Sequence, residues 1–145
     1  MPAAAAPPTE VCPGCGAVLV PVGEAALHPG ASASCARLFE VTLRGLREQA
    51  VTDPGAAAAV QSADAAYDAQ HPDPADPGRL RAALEFFVTS PGWDVPPSAS
   101  EQPRIWQMTI ADVAADLDVI DLPVLVGSWA ATVAEDWIAT ARAAT

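Results

Sequence analysis

The chain has 145 residues, of which 51% are hydrophobic, and a formal net charge of −11 with seven arginines and no lysine. That length supports one compact domain with its own core. A surface so short of basic residues lacks the footprint that neutralises nucleic-acid phosphates or anionic lipid headgroups, so both partner classes are excluded.

Residues 1–9 are mostly alanine and proline and are expected to form a disordered tail, leaving residues 10–145 as a single domain. The start lacks the basic and long apolar stretches of a secretory signal, and no apolar run reaches the length of a membrane span. Three cysteines is an odd number, unlike a disulfide scaffold. Together these point to a cytoplasmic protein with reduced thiols.

Residues 10–31 hold a Cys-x-x-Cys pair, Cys12 and Cys15, then an apolar run, "AVLVPV", expected to form a small hairpin arm or an extended strip. From Ser34 to about Ala50 the pattern becomes helical, with Phe39, Leu43 and Leu46 on one face and Cys35 in the first turn. "TDPG" at 52–55 reads as a helix start, with Asp53 as N-cap and Pro54 at the first helical position. That helix must end near His71, because a residue before proline disfavours helical backbone and Pro72 follows. Asp76 and Pro77 repeat the start signal for a third helix bearing Leu80, Leu84, Phe87 and Val88. Residues 90–107 read as a proline- and serine-rich loop; Thr109 and Asp112 form a capping box for a fourth helix. "DLP" at 121–123 opens the last helix, whose apolar stripe is Val126, Trp129, Val133 and Trp137. The predicted fold is mostly α: four or five helices, bundle-like, with a small irregular N-terminal zinc lobe.

The chemistry concentrates in the cysteines. Gly14 and Gly16 within "CPGCG" suit a metal knuckle better than the helix that opens a thioredoxin-like redox site. Zinc needs two more ligands. Cys35 is the remaining thiol, and its place at a helix N-terminus is expected to lower its pKa. The fourth ligand is one of the two histidines, His71 or His28. Tyr67 and Gln70 beside His71 are expected to support a ligand by hydrogen bonding; the alternative role is catalytic, with Tyr67 as acid and Asp68 or His71 as base at the metal. Trp129 and Trp137 read as core, and Trp93 and Trp106 as edge packing or a lid. Phosphate-binding, dinucleotide, nucleophile-elbow and zinc-deaminase signatures are missing.

The ordered set "CPGCGA", "HPGASASCARLFEVTLRG", "YDAQHP", "MTIADV" and "WAATVAEDW" resembles a family of small bacterial proteins, common in actinobacteria and known only as a domain of unknown function. The resemblance spans roughly residues 11–138. It implies importance for Cys12, Cys15, His28, Cys35, Tyr67, Gln70, His71, Trp129 and Trp137, and no specific activity. The chain departs from the pattern at Val60, where a histidine is common, at Asp64, one position off, and at Ala36, where an aromatic is common. Three functions stay open: a helical protein with structural zinc that binds a protein partner or small molecule, a zinc enzyme with an open metal position, and a redox sensor in which oxidation expels zinc.

Overall fold

The computed structural model describes residues 8–23, 28–87 and 102–143. Residues 1–7 of the proposed tail and the expectations for Val88 and Trp93 lie outside the described residues. Among those described, two short strands precede five helices: β1 (Glu10–Val11), β2 (Val18–Leu19), α1 (Ala33–Gln49), α2 (Pro54–Gln70), α3 (Pro77–Phe87), α4 (Ile110–Ala115) and α5 (Leu122–Ala143). The mostly helical class with a small N-terminal lobe is the class expected from periodicity.

The helix starts follow local chemistry. Asp53 accepts a hydrogen bond from the Gly55 backbone N–H and Pro54 opens α2. Thr109 and Asp112 make the reciprocal capping box of α4. Ser32 is the N-cap of α1, its hydroxyl accepting from the Cys35 N–H. The two strands pair antiparallel, Glu10 opposite Leu19 and Val11 opposite Val18, which makes the apolar run the hairpin arm.

α2 is the centre of the molecule, packed against α1, α3 and α5. Its buried face is nearly all alanine: Ala56, Ala63, Ala65, Ala66 and Ala69. Small side chains bring neighbouring helices close, and the bulk filling the space comes from α5, whose Trp129, Val133 and Trp137 are fully buried. Burial of each such side chain contributes roughly 1.5–3 kcal/mol. Both indoles donate into the end of α2: Trp137 to the Ala69 carbonyl at 3.0 Å and Trp129 to the Gln70 side-chain oxygen at 3.1 Å.

Helix α2 therefore ends with three of its last four carbonyls engaged, as a buried terminus favours. Ala69 is held by Trp137. The Asp68 carbonyl accepts from the His71 backbone N–H, and the Tyr67 carbonyl faces the His71 ring. This end fixes where His71 points.

Candidate metal centre

Three separate segments converge on one point. The knuckle between β1 and β2 supplies Cys12 and Cys15, the first turn of α1 supplies Cys35, and the residue that caps α2 supplies His71. Their ligand atoms all lie within 4.8 Å of one another, and all four residues are buried, between 0% and 6% exposed. The Cys15 and Cys35 sulfurs are 3.8 Å apart, and His71 Nε2 is 3.5 Å from Cys35 Sγ. Two thiolates bound to one zinc at about 2.3 Å and the tetrahedral angle would lie about 3.8 Å apart, and a thiolate–imidazole edge would be about 3.5 Å. The donor set and its spacing fit a tetrahedral metal ion.

The imidazole is oriented for this task. His71 Nδ1 lies 2.6 Å from the Tyr67 carbonyl oxygen. A carbonyl only accepts, so Nδ1 carries the hydrogen and Nε2 is left with a bare lone pair facing the sulfurs. Tyr67 also donates its hydroxyl to Cys35 Sγ at 3.3 Å, and the Ser32 N–H donates to Cys12 Sγ at 3.5 Å. Phe39 stacks on Tyr67, with ring centroids 4.0 Å apart and planes within 4°, and locks the phenol in place.

His28 is not in the cluster. Its ring nitrogens are both engaged elsewhere: Nδ1 accepts from the Gly30 N–H at 3.2 Å, and Nε2 sits 3.0 Å from Asp68 Oδ1. With Nδ1 accepting, Nε2 must carry the hydrogen and donate to the carboxylate. His28 thus fastens the loop at 28–31 to α2, and His71 is the histidine of the cluster that could hold a metal. Asp68 serves that fastening, and Gln70 bridges the Met108 carbonyl and Trp129 without touching a metal ligand.

The expected lowering of the Cys35 pKa does not occur. In the metal-free cluster the neighbouring Cys12 and Cys15 sulfurs, then burial, drive the Cys35 thiol far up, outweighing the helix N-terminus. Cys12 is the thiol driven far down, because hydrogen bonds from Cys15 and Cys35 stabilise its thiolate. Cys15 is pushed up to about 12, first by its hydrogen bond to Cys12. Burial, then the Cys35 charge, raises the Tyr67 phenol as well. A cation at the centre would let all three thiols ionise together in so small a buried space.

Residues beyond the four also shape the site. Gly14 packs so tightly that a Cβ there would stand 2.5 Å from His71 Cδ2, and one on Gly30 would stand 2.4 Å from the His71 carbonyl oxygen. The Trp106 indole donates to the Gly14 carbonyl at 3.0 Å, tying the knuckle to a segment 92 residues away. The Glu10 carboxylate accepts from both the backbone N–H and the hydroxyl of Ser34, pinning β1 to the positive end of α1.

Residues 10–90, more than half of the sequence, match the profile of a family of unknown function (DUF5946). The chain belongs to that family. The matched span contains all four cluster residues together with His28, Tyr67, Asp68 and Gln70. No curated protein and no solved structure matches the chain. Among the described residues, no helix is long and apolar enough to cross a membrane.

Proposed function

We propose that this member of DUF5946 is a cytoplasmic zinc protein whose metal is structural, pinning the N-terminal lobe to the helical body, and that the protein binds a protein partner or small molecule. The observation that carries the reading is the closed, buried set of four protein ligands drawn from three chain segments. Three thiolates and an imidazole suit zinc among the divalent ions. A catalytic zinc ordinarily has three protein ligands and an open position for water, whereas here His71 stands with the three cysteines where a fourth ligand would be needed, which favours the structural reading.

The slightness of the lobe supports this reading. The hairpin is two residue pairs long, and Val11, Val18 and Val20 are exposed, so hydrophobic burial alone holds it weakly. A structural zinc contributes about 10–16 kcal/mol of apparent binding free energy, enough to hold such a lobe. Metal analysis of the purified protein tests the assignment. One zinc per chain, retained on dialysis and lost together with thermal stability in Cys35→Ser, is expected; a metal-free protein of full stability would overturn it.

A further inference from the structure

Beside the metal centre, on the outer side of Tyr67, lies a cleft of about 330 Å³ lined by residues of α1, α2, α3 and His28. That volume is at the small end of ligand sites. Its apolar wall is the half-buried Phe39, backed by Tyr67.

The charges in the cleft sort into used and unused. Arg47 and Asp64 satisfy each other in a two-pronged pair at 2.6 and 3.1 Å. Glu40 is paired with Arg44 at 3.6 Å. Two groups remain. The Arg79 guanidinium has no hydrogen-bond or ion-pair partner among the described residues. Asp68 gives Oδ1 to His28, and its Oδ2 has no protein partner among them. These opposite charges share one cleft without pairing with each other, so a bridging molecule would find both available.

We propose that this cleft binds a small zwitterion with an apolar or aromatic side chain, an amino-acid-like molecule. Its carboxylate meets Arg79, its ammonium meets Asp68 Oδ2, and its side chain lies along Phe39. A plain anion would gain Arg79 and face the Asp68 carboxylate; a plain cation would gain Asp68 and face Arg79. Only a molecule carrying both charges satisfies both groups. His28 fixes the Asp68 carboxylate, and Tyr67, anchored on Cys35, keeps the wall rigid. The inference rests on the ligand-binding half of the proposed function and not on the identity of the metal.

The test is an NMR titration of the metal-loaded full chain, following backbone amides. The probes are L-phenylalanine and L-leucine, with 3-phenylpropanoate and 2-phenylethylamine as analogues lacking the ammonium or the carboxylate. Saturable shifts at Phe39, Tyr67 and Arg79 are expected with at least one of the two amino acids, and affinities about tenfold or more weaker for both analogues. Arg79→Gln, at an exposed position that leaves the fold intact, lowers amino-acid affinity about tenfold or more, and Asp68→Asn does the same while keeping an oxygen for His28. No saturable shift with either amino acid, equal binding of either analogue, or full affinity in both variants would overturn the proposal. Metal content measured on the same samples keeps the two readings apart: one metal bound with no amino-acid binding sinks only this inference, and amino-acid binding by a stable metal-free protein sinks only the structural-zinc reading.

Discussion

His71 Nδ1 lies 2.6 Å from the carbonyl oxygen of Tyr67, one helical turn before it. The same contact closes the end of α2 and turns the ring so that Nε2 meets the three sulfurs. His28, by contrast, has both nitrogens occupied. The two histidines should therefore separate cleanly on substitution. His71→Ala is expected to abolish stable zinc retention, exceeding the roughly 10- to 100-fold loss of affinity typical when a group behind a ligand is removed. His28→Ala is expected to keep one zinc per chain and to cost about 1–2 kcal/mol of stability through the lost Asp68 and Gly30 hydrogen bonds. Metal analysis and thermal melts of the two variants check this; zinc loss in His28→Ala with retention in His71→Ala would reverse the assignment.

The thiols carry a pH signature. In the metal-free protein Cys12 is already a thiolate, while Cys15, with its pKa near 12, and Cys35, higher still, hold their protons. The metal-bound form needs all three ionised. Zinc binding at pH 8 is therefore expected to release two protons, not three. Because the free form holds protons that the bound form lacks, affinity is expected to rise with pH around pH 8. Calorimetry in buffers of different ionisation enthalpy counts the protons; release of three, or of none, would contradict the arrangement.

The tight seat of the knuckle predicts an asymmetry among glycines. A Cβ on Gly14 would stand 2.5 Å from His71 Cδ2 and 2.6 Å from the Gln70 carbonyl oxygen, whereas one on Gly45 or Gly127, inside α1 and α5, meets nothing within 4 Å. Gly14→Ala is expected to destabilise by about 1–3 kcal/mol and to weaken zinc retention. Gly45→Ala and Gly127→Ala are expected to stabilise by about 0.5–1 kcal/mol, as alanine replaces glycine in a helix interior. Denaturant midpoints of the three variants decide the matter.

What the sequence made legible depended on range. Asp53–Pro54, Asp76–Pro77 and Thr109–Asp112 announce helix starts through neighbours a few residues apart, and the Val126–Trp137 stripe announces a buried face by period alone. The four ligands were legible as candidates because thiols and histidines are scarce here. Which histidine binds was not, because it depends on the end of α2 and on two loops packed against it. The partners of Glu10 and Trp106 are illegible for the same reason: they lie 24 and 92 residues away, and although Trp106 reads as edge packing, neither a carboxylate beside a hairpin nor a tryptophan after a proline-rich loop advertises such a partner. The Cys35 pKa was misjudged because a helix N-terminus is visible in sequence, whereas two neighbouring sulfurs appear only once the chain has folded.

Trp106 offers a way to watch the lobe detach. Its indole reaches the Gly14 carbonyl, inside the knuckle, while Trp129 and Trp137 sit between α2 and α5 with partners on α2. Removing the metal leaves the α2–α5 contact intact and takes away what fixes the knuckle, so the two regions should respond differently. A strong chelator is expected to lower the melting temperature and abolish hydrogen-exchange protection at Cys12 and Gly16, whose amides bond within the knuckle, while α2 and α5 stay protected. Tryptophan fluorescence should change in the same step, and Trp106→Phe should remove that change while costing about 1 kcal/mol of stability. Simultaneous loss of protection across all the helices would mean that the metal supports the whole domain rather than fastening one lobe to a body that stands without it.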